Sequence, residues 1–204
     1  MLLCRFSARS LAFASASVAR VIVGAAALAV VNTPAEADAI DINFGDHSAQ
    51  IQYSSAMGRD SLGKTEFHMG FLYTDQDNLL GDVGILVKNE VGSGVPGVIV
   101  GVGVKGLMAT SDSNDTLAVA LGGQVRFSPP SASRFGIAGQ FYFAPNIVTF
   151  GDADRFLETG VRLEYEILPQ AVAYIGYRKI KFGLETGSDT VLDEGVHAGV
   201  KITF

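Results

Sequence analysis

Short segments in which apolar residues alternate with small or polar ones make up most of the chain after residue 39. Valines occupy every second position from Val98 to Val104, whereas Gly101, Gly103 and Lys105 lie between or just beyond them. Successive side chains of a β-strand point to opposite faces, so this alternation predicts strands with one apolar face and one small or polar face. No helical period competes with it.

Turn-forming residues separate these segments at regular intervals. Gly, Pro, Asp, Asn and Ser are concentrated at 57–63, 74–78, 91–96, 110–115, 128–133, 145–154, 168–169 and 185–193. The segments between them are about 10 residues long, the length that a tilted membrane strand needs. Together with a brief alternation at 40–44 they predict ten strands, or eight if the weakest segments are not strands.

The segment from 155 to 167 indicates which face points where. Glu158, Arg162, Glu164 and Glu166 share one face, and the other face is wholly apolar around Val161. Glycine and other small residues share the charged faces of most segments, as the lumen of a narrow barrel requires. The favoured interpretation is therefore an all-β, up-and-down antiparallel transmembrane β-barrel. The alternative is a secreted soluble up-and-down barrel that binds an apolar ligand inside.

Charged residues on the small, polar faces form the candidate functional site. The predicted lumen network consists of Arg126, Glu158, Arg162, Glu164, Glu166, Arg178 and Lys201. One interpretation is an ion-pair network that fills a barrel too narrow for water. The other is a constriction lined by opposite charges that selects small polar solutes.

The connections on the predicted outer side of the barrel are acidic. They carry Asp75, Asp77, Asp112, Asp115, Asp152, Asp154, Glu185 and Asp189. Their longest members, 145–154 and 185–193, fall on this side, as is typical of outer-membrane barrels. The turns at 57–63, 91–96, 128–133 and 168–169 are predicted to be periplasmic.

The first 39 residues have the layout of a secretory signal peptide. Arg5, Arg9 and Arg20 precede an apolar run that ends at Val31, and an A-x-A site predicts cleavage after Ala39. Residues 40–204 are then the barrel domain. The only cysteine of the chain leaves with the signal peptide, so disulfides cannot stabilise the mature protein.

Charge excludes one class of partner. The chain has 21 acidic and 15 basic residues, and the signal peptide removes more bases than acids. Binding to nucleic acid requires clusters of basic residues, and none occurs. Mean hydropathy is nevertheless positive, although no stretch after Val31 reaches the ~18 apolar residues of a membrane helix.

The last strand carries a resemblance of its own. His197, Gly199, Ile202 and the terminal Phe204 form an alternating ending that resembles the carboxy-terminal signal of bacterial outer-membrane barrels. The resemblance implies recognition by the barrel-assembly machinery.

The mature chain also resembles the YfaZ family of small outer-membrane proteins. The residues that carry the resemblance are 41–44 (Asp-Ile-Asn-Phe), 48–54 (Ser-Ala-Gln-Ile-Gln-Tyr-Ser) and the closing 197–204. It implies an outer-membrane location and porin-like behaviour, and it supplies no catalytic residues.

Catalytic and metal chemistry find little support in the sequence. His47, His68 and His197 are the histidines, and no G-x-S-x-G motif accompanies them. A hydrolase at the barrel rim would require His47 or His68 to meet an acid and a serine in space. The aspartates of the outer loops lack the ligand spacing of an EF-hand.

The prediction is therefore a bacterial outer-membrane barrel that is not an enzyme. Its expected role is envelope structure or narrow, porin-like passage of small polar solutes. Its expected partners are membrane lipid and the assembly machinery, and we expect no metal and no cofactor.

Overall fold

A computed structural model of the chain describes residues 37–75, 78–92, 95–111, 114–151, 153–184 and 189–204. Within these residues no helix is long and apolar enough to cross a membrane. Most of the predicted signal peptide and the loop residues Asp77, Asp112, Asp152 and Glu185 lie outside the described residues.

The described residues form eleven β-strands and two short 3-10 helices, Pro130–Ala132 and Asn146–Val148. The strands are β1 (Ala39–Gly45), β2 (Ser48–Asp60), β3 (Gly63–Thr74), β4 (Leu79–Glu90), β5 (Val98–Ser111), β6 (Asn114–Phe127), β7 (Phe135–Ala144), β8 (Thr149–Gly151), β9 (Ala153–Leu168), β10 (Ala171–Leu184) and β11 (Asp189–Thr203).

Ten of these strands close into one antiparallel barrel. Each pairs with its neighbour along the chain, β7 pairs with β9, and β1 pairs with β11 to complete the circle. The three-residue β8 is a side strand that pairs with the start of β6. The up-and-down barrel of ten strands predicted from the sequence is confirmed, and the alternative of eight is wrong.

The seam of the barrel lies between the first and last strands. Asp38 and Phe204 exchange backbone hydrogen bonds of 2.9 and 2.8 Å, and Tyr53 donates a hydrogen bond of 2.8 Å to the Asp38 carboxylate. Cleavage after Ala39 stays a prediction, and it would remove Asp38 from this seam. A second A-x-A sequence ends at Ala37, and cleavage there would preserve these contacts.

The two ends of the barrel differ. Asp38, Phe204 and the turns after β2, β4, β6 and β9 lie at one end, which we call the terminal end. The turns after β1, β3, β5, β7 and β10 lie at the opposite, loop end. This is the division of turns that the sequence predicted, with the acidic connections together at the loop end.

The outer surface of the wall is apolar. Val102 is 69% exposed and Val161 is 52% exposed, whereas Glu158 and Glu164 are buried inside. On β11 the outward positions from Phe204 to Val196 are all apolar, and Glu194 is the first charged one. About 10 residues of tilted strand cover roughly 25 Å, the height of the apolar band of a membrane barrel. The apolar faces therefore point outward, opposite to the soluble interpretation.

Aromatic side chains mark both edges of this band. Phe135 and Tyr165 lie on the outside near the terminal end, with their ring centroids 4.9 Å apart. Phe44 and Tyr73 are exposed near the loop end. Aromatic girdles at both interfaces are typical of membrane barrels.

Candidate functional site: the barrel lumen

Large apolar side chains fill much of the lumen towards the loop end. This apolar plug consists of Leu72, Leu80, Leu107, Ala109, Ala118, Ala120, Tyr142, Ala144, Ala153, Phe156, Ile180, Phe182 and Leu192, with Val148 packed against it. Leu72 and Phe156 have no exposed surface. The rings of Phe156 and Phe182 lie 5.1 Å apart. Side chains from eight of the ten barrel strands thus pack together inside the lumen, and among the described residues β1 and β2 contribute none to this cluster.

A polar layer begins one inward position below the plug. On β5 the order from the loop end is Leu107 and then Lys105, and on β9 it is Phe156 and then Glu158. The same change occurs from Leu80 to Asp82 on β4 and from Ile180 to Arg178 on β10. The boundary between apolar and polar filling therefore runs across the lumen at one level.

Lys105 and Glu158 form the central ion pair directly below the plug. Lys105 Nζ donates to Glu158 Oε2, and both side chains are buried. Gln140 Nε2 donates a hydrogen bond of 2.7 Å to the other carboxylate oxygen. The Lys105 ammonium also lies 4.4 Å from the centre of the Tyr142 ring, a cation–π contact with the plug. A buried charge needs such partners because unpaired burial is costly.

Arg178 anchors a second group on the β1–β2 side of the lumen. Its Nε donates a hydrogen bond of 2.7 Å to Asp193. Its Nη1 donates to Gln50 and lies 3.4 Å from Asn43 Oδ1, and its Nη2 lies 3.4 Å from Ser48 Oγ. A guanidinium with five donors is suited to join strands in this way.

A third group lies nearer the terminal end. Glu164 accepts hydrogen bonds of 2.6 Å from Arg126 Nε and 2.7 Å from Arg162 Nε. Arg162 Nη1 also lies 3.4 Å from Asp41. Asp41 in turn accepts a hydrogen bond from the Tyr174 hydroxyl.

Two further pairs lie on β3 and β4. Lys88 Nζ donates to both carboxylate oxygens of Glu66 at 2.8 Å. His68 Nε2 and Asp82 Oδ1 are 3.7 Å apart, and both side chains are buried. Inward charges of both signs therefore line this part of the wall also.

The structure brings some of the predicted network residues together and separates others. Arg126, Arg162 and Glu164 form one group, whereas Glu158 and Arg178 find other partners. Within the part of the chain that the structure describes, Glu166 and Lys201 make no ion pair. The assembly-signal residues His197, Gly199, Ile202 and Phe204 all lie on β11 or directly after it, with His197 and Gly199 facing inward.

Sequence reasoning missed several lumen residues. Lys105, Asp41, Asp82 and Asp193 are absent from the predicted network, although each lies on the inward face of its strand. It also missed the plug, because it expected small residues and paired charges throughout. The alternation contained the signal, since Leu107 follows Lys105 on the same face.

Little free space remains inside the polar part of the lumen. A cavity of about 80 Å³ lies among residues such as His68, Lys105 and Arg162. This volume holds a few water molecules. Tyr142 belongs both to the lining of this cavity and to the plug above it.

One histidine at the loop end meets an acid. His47 Nδ1 and Asp75 Oδ2 are 2.7 Å apart, both exposed, beside a cavity of about 230 Å³ that also touches Leu192, Asp193 and His197 on the inward face of β11. Ser48 contacts Arg178 instead of this pair. At His47 the Ser–His–acid arrangement of a rim hydrolase is therefore incomplete. Among the described residues no cluster of metal ligands occurs.

Comparison with known proteins gives a family and several distant folds. The family model described as "YfaZ precursor" matches residues 18–204, whereas no curated protein matches the chain. The KdgM porin is 10% identical with a TM-score of 0.43, covering 83% of this chain and 99% of the porin. The outer membrane channel DcaP of Acinetobacter baumannii is 9% identical with a TM-score of 0.42, covering 79% of this chain and 54% of the channel.

Proposed function

The chain belongs to the YfaZ precursor family, and we propose that it is a non-enzymatic barrel of the bacterial outer membrane, closed to solutes, whose role is structural. The single observation that carries the proposal is the apolar plug. Leu72, Leu107 and Phe156 meet across the lumen with almost no exposed surface. A hydrated ion or sugar would have to shed its water to pass them, which costs several kcal/mol or more.

The polar layer supports the same conclusion. Lys105, Glu158 and Arg178 each have a partner of opposite charge within the wall. Charges that satisfy each other stiffen the barrel and are less available to a passing solute. The layer therefore acts as filling that joins strands across the lumen, which favours the ion-pair interpretation over a selective constriction.

The outer surface supports the membrane setting. Its apolar band matches the thickness of the hydrocarbon core, and aromatic residues flank the band on both sides. We propose membrane lipid as the constant partner and the barrel-assembly machinery as a transient one, through the docked β11 strand that ends at Phe204. Small polar solutes would cross the barrel only if the plug opened.

Conductance in planar lipid bilayers tests the proposal. We expect the parent protein to give no steady current. A double variant, Leu107→Ala with Phe156→Ala, removes the centre of the plug and is expected to give measurable current. Val102→Ala is the matched control, because it shortens an apolar side chain of the same strand that faces lipid.

Steady conductance of the parent protein would contradict the closed state. Failure of the protein to fractionate with the detergent-extracted outer membrane, in a heat-modifiable form, would contradict the membrane setting. The two measurements fail independently of each other.

A further inference from the structure

Three cations lie on the outside of the wall at the loop end. Arg155 is on β9, and Lys179 and Lys181 are on β10. Their positions continue the outward faces of Val161 and Tyr177. We call these three residues the cationic patch.

The patch begins where the apolar band ends. On β10 the outward positions Ile175 and Tyr177 are exposed and lie just below Lys179. Lys179 Nζ lies 2.7 Å from Glu194, the first charged outward residue of β11. In a membrane barrel this level is the boundary between hydrocarbon and lipid headgroups.

The patch has more hydrogen-bond donors than its acidic neighbours can use. Asp189 accepts from Arg155 Nη2 at 2.8 Å and from Lys181 Nζ at 3.0 Å. Glu194 is the second acid in contact with the patch. Among the described residues the three cations form ion pairs with two carboxylates, and Asp154 lies near Arg155 as well. An Arg with five donors and two Lys with three each still retain most of their N–H groups.

Gly183 on β10 leaves room for the side chain of Arg155, its partner on β9. A Cβ atom at Gly183 would lie 2.6 Å from Arg155 Cγ, closer than real Cβ contacts allow. Gly183 therefore lets the Arg155 side chain lie flat over β10 and reach Asp189 on β11. The guanidinium is held at the surface in a fixed orientation, which lowers the entropy cost of binding an anion.

The rest of the loop end is acidic. Asp46, Asp75, Asp115 and Asp154 lie there. Among the described residues, no Lys or Arg other than the patch faces outward at that end. Within the described ranges, the outward-facing positive charge of the loop end is therefore concentrated at the patch.

We propose that the cationic patch binds the phosphate group of an anionic lipid headgroup in the outer leaflet, in preference to a zwitterionic one. The proposal rests on the membrane setting proposed above. Arg offers paired donors that match phosphate oxygens, and the two Lys add point charges beside it. The lipid chains would lie along the apolar wall below, on Ile175 and Tyr177.

Lipid binding to the purified protein tests this assignment. The probe is fluorescently labelled, phosphorylated lipid A in phosphatidylcholine nanodiscs that contain the full mature barrel, and unlabelled phosphatidylcholine is the reference. The test variant is Arg155→Gln, Lys179→Gln and Lys181→Gln together. Removing three cations at the membrane surface weakens the attraction to an anionic headgroup, and the loss is moderated because the neighbouring acids already offset part of their charge. We therefore expect about tenfold weaker binding of lipid A.

A matched control removes three cations at the opposite end, Arg59→Gln, Lys64→Gln and Arg134→Gln. This control is expected to bind lipid A like the parent. Gly183→Ala keeps every charge and moves only Arg155, so it is expected to weaken binding less than the triple variant. Heat-modifiable migration shows that each variant is folded.

Two results would overturn the proposal: a parent that binds lipid A no better than phosphatidylcholine, or a triple variant that binds like the parent. Competition by millimolar inorganic phosphate alone, without a preference for lipid A, would also overturn it, because the patch would then be a free-anion site. A conducting parent would contradict the closed state and leave the lipid result unaffected, so the two proposals fail separately.

Discussion

The lumen is filled in two different ways along its length. Towards the loop end, Leu72, Leu107 and Phe156 pack like the core of a soluble domain. Below them lies a layer of ion pairs, of which the buried pair Lys105–Glu158 is next to the plug. Both parts lie on the inward face of the same strands. Whether a residue faces inward or outward therefore does not tell which part it belongs to.

The difference shows what each filling contributes. Apolar packing is stabilising wherever volume and shape fit, and it excludes water. A buried ion pair is stabilising only while both partners remain, because its desolvation cost is nearly as large as its attraction. In the function proposed above, the plug closes the lumen, whereas the buried ion pairs join strands across it. Four changes test this contrast, from the largest expected effect to the smallest.

Breaking the central ion pair is expected to give the largest loss in the free energy of unfolding. Lys105→Ala leaves the buried Glu158 carboxylate without its cation, which is expected to lower the free energy of unfolding by about 3–5 kcal/mol. Urea unfolding in detergent micelles measures it. The double variant Lys105→Met with Glu158→Gln removes both charges and should recover most of the loss. A loss below about 1 kcal/mol in the single variant would contradict the role of the pair.

Shortening a side chain of the plug is expected to lower the free energy of unfolding somewhat less than breaking the ion pair does. Leu107→Ala should lower the free energy of unfolding by about 3 kcal/mol, through lost burial and the cavity left behind. The same urea experiment applies, and this loss should not change with salt concentration. Val102→Ala, which faces lipid on the same strand, is the control. Equal losses for Leu107 and Val102 would mean that the plug is not packed.

A single hydrogen bond in the lower layer is expected to matter less. Tyr174→Phe keeps the ring and removes the hydroxyl that donates to the buried Asp41. Asp41 retains Arg162 as a neighbour, so the expected loss is about 1–2 kcal/mol. Asn43→Ala, which removes a neighbouring lumen contact to Arg178, is a comparison for local packing. No change for Tyr174→Phe would show that Arg162 alone satisfies Asp41.

The smallest effect on stability is expected outside the lumen, at Asp189 on the rim of the barrel. The hydrogen bond from Arg155 lowers the pKa of Asp189 below its ordinary value. A lowered pKa in the folded state means that the stabilisation is complete above the ordinary Asp pKa and is lost as pH falls through the lowered value. The unfolding midpoints of the parent and of Asp189→Asn should therefore differ slightly at pH 7 and converge in acid. A difference that grows in acid would contradict this assignment.

Much of the fold could be predicted from the sequence, because the face to which each strand residue points depends only on its neighbours along the chain. The alternation of Val98 to Val104 and the charges at Glu158 to Glu166 gave the correct inward and outward faces. Turn residues gave the connections and the number of strands. The sequence analysis did not identify Leu107 and Ile180 as part of a plug. An apolar residue on a mostly polar face looks like an exception to the alternation until its neighbours across the lumen are known.

The sequence by itself determined the strands, their faces and the antiparallel order, since each depends on residues that are close along the chain. Only the tertiary structure decided which side chains meet. Lys105 reaches Glu158 across 53 positions and Tyr174 reaches Asp41 across 133. These partners depend on the stagger of ten tilted strands that close on themselves. That stagger sets the height of every inward residue, and height separates the apolar plug from the ion pairs below it.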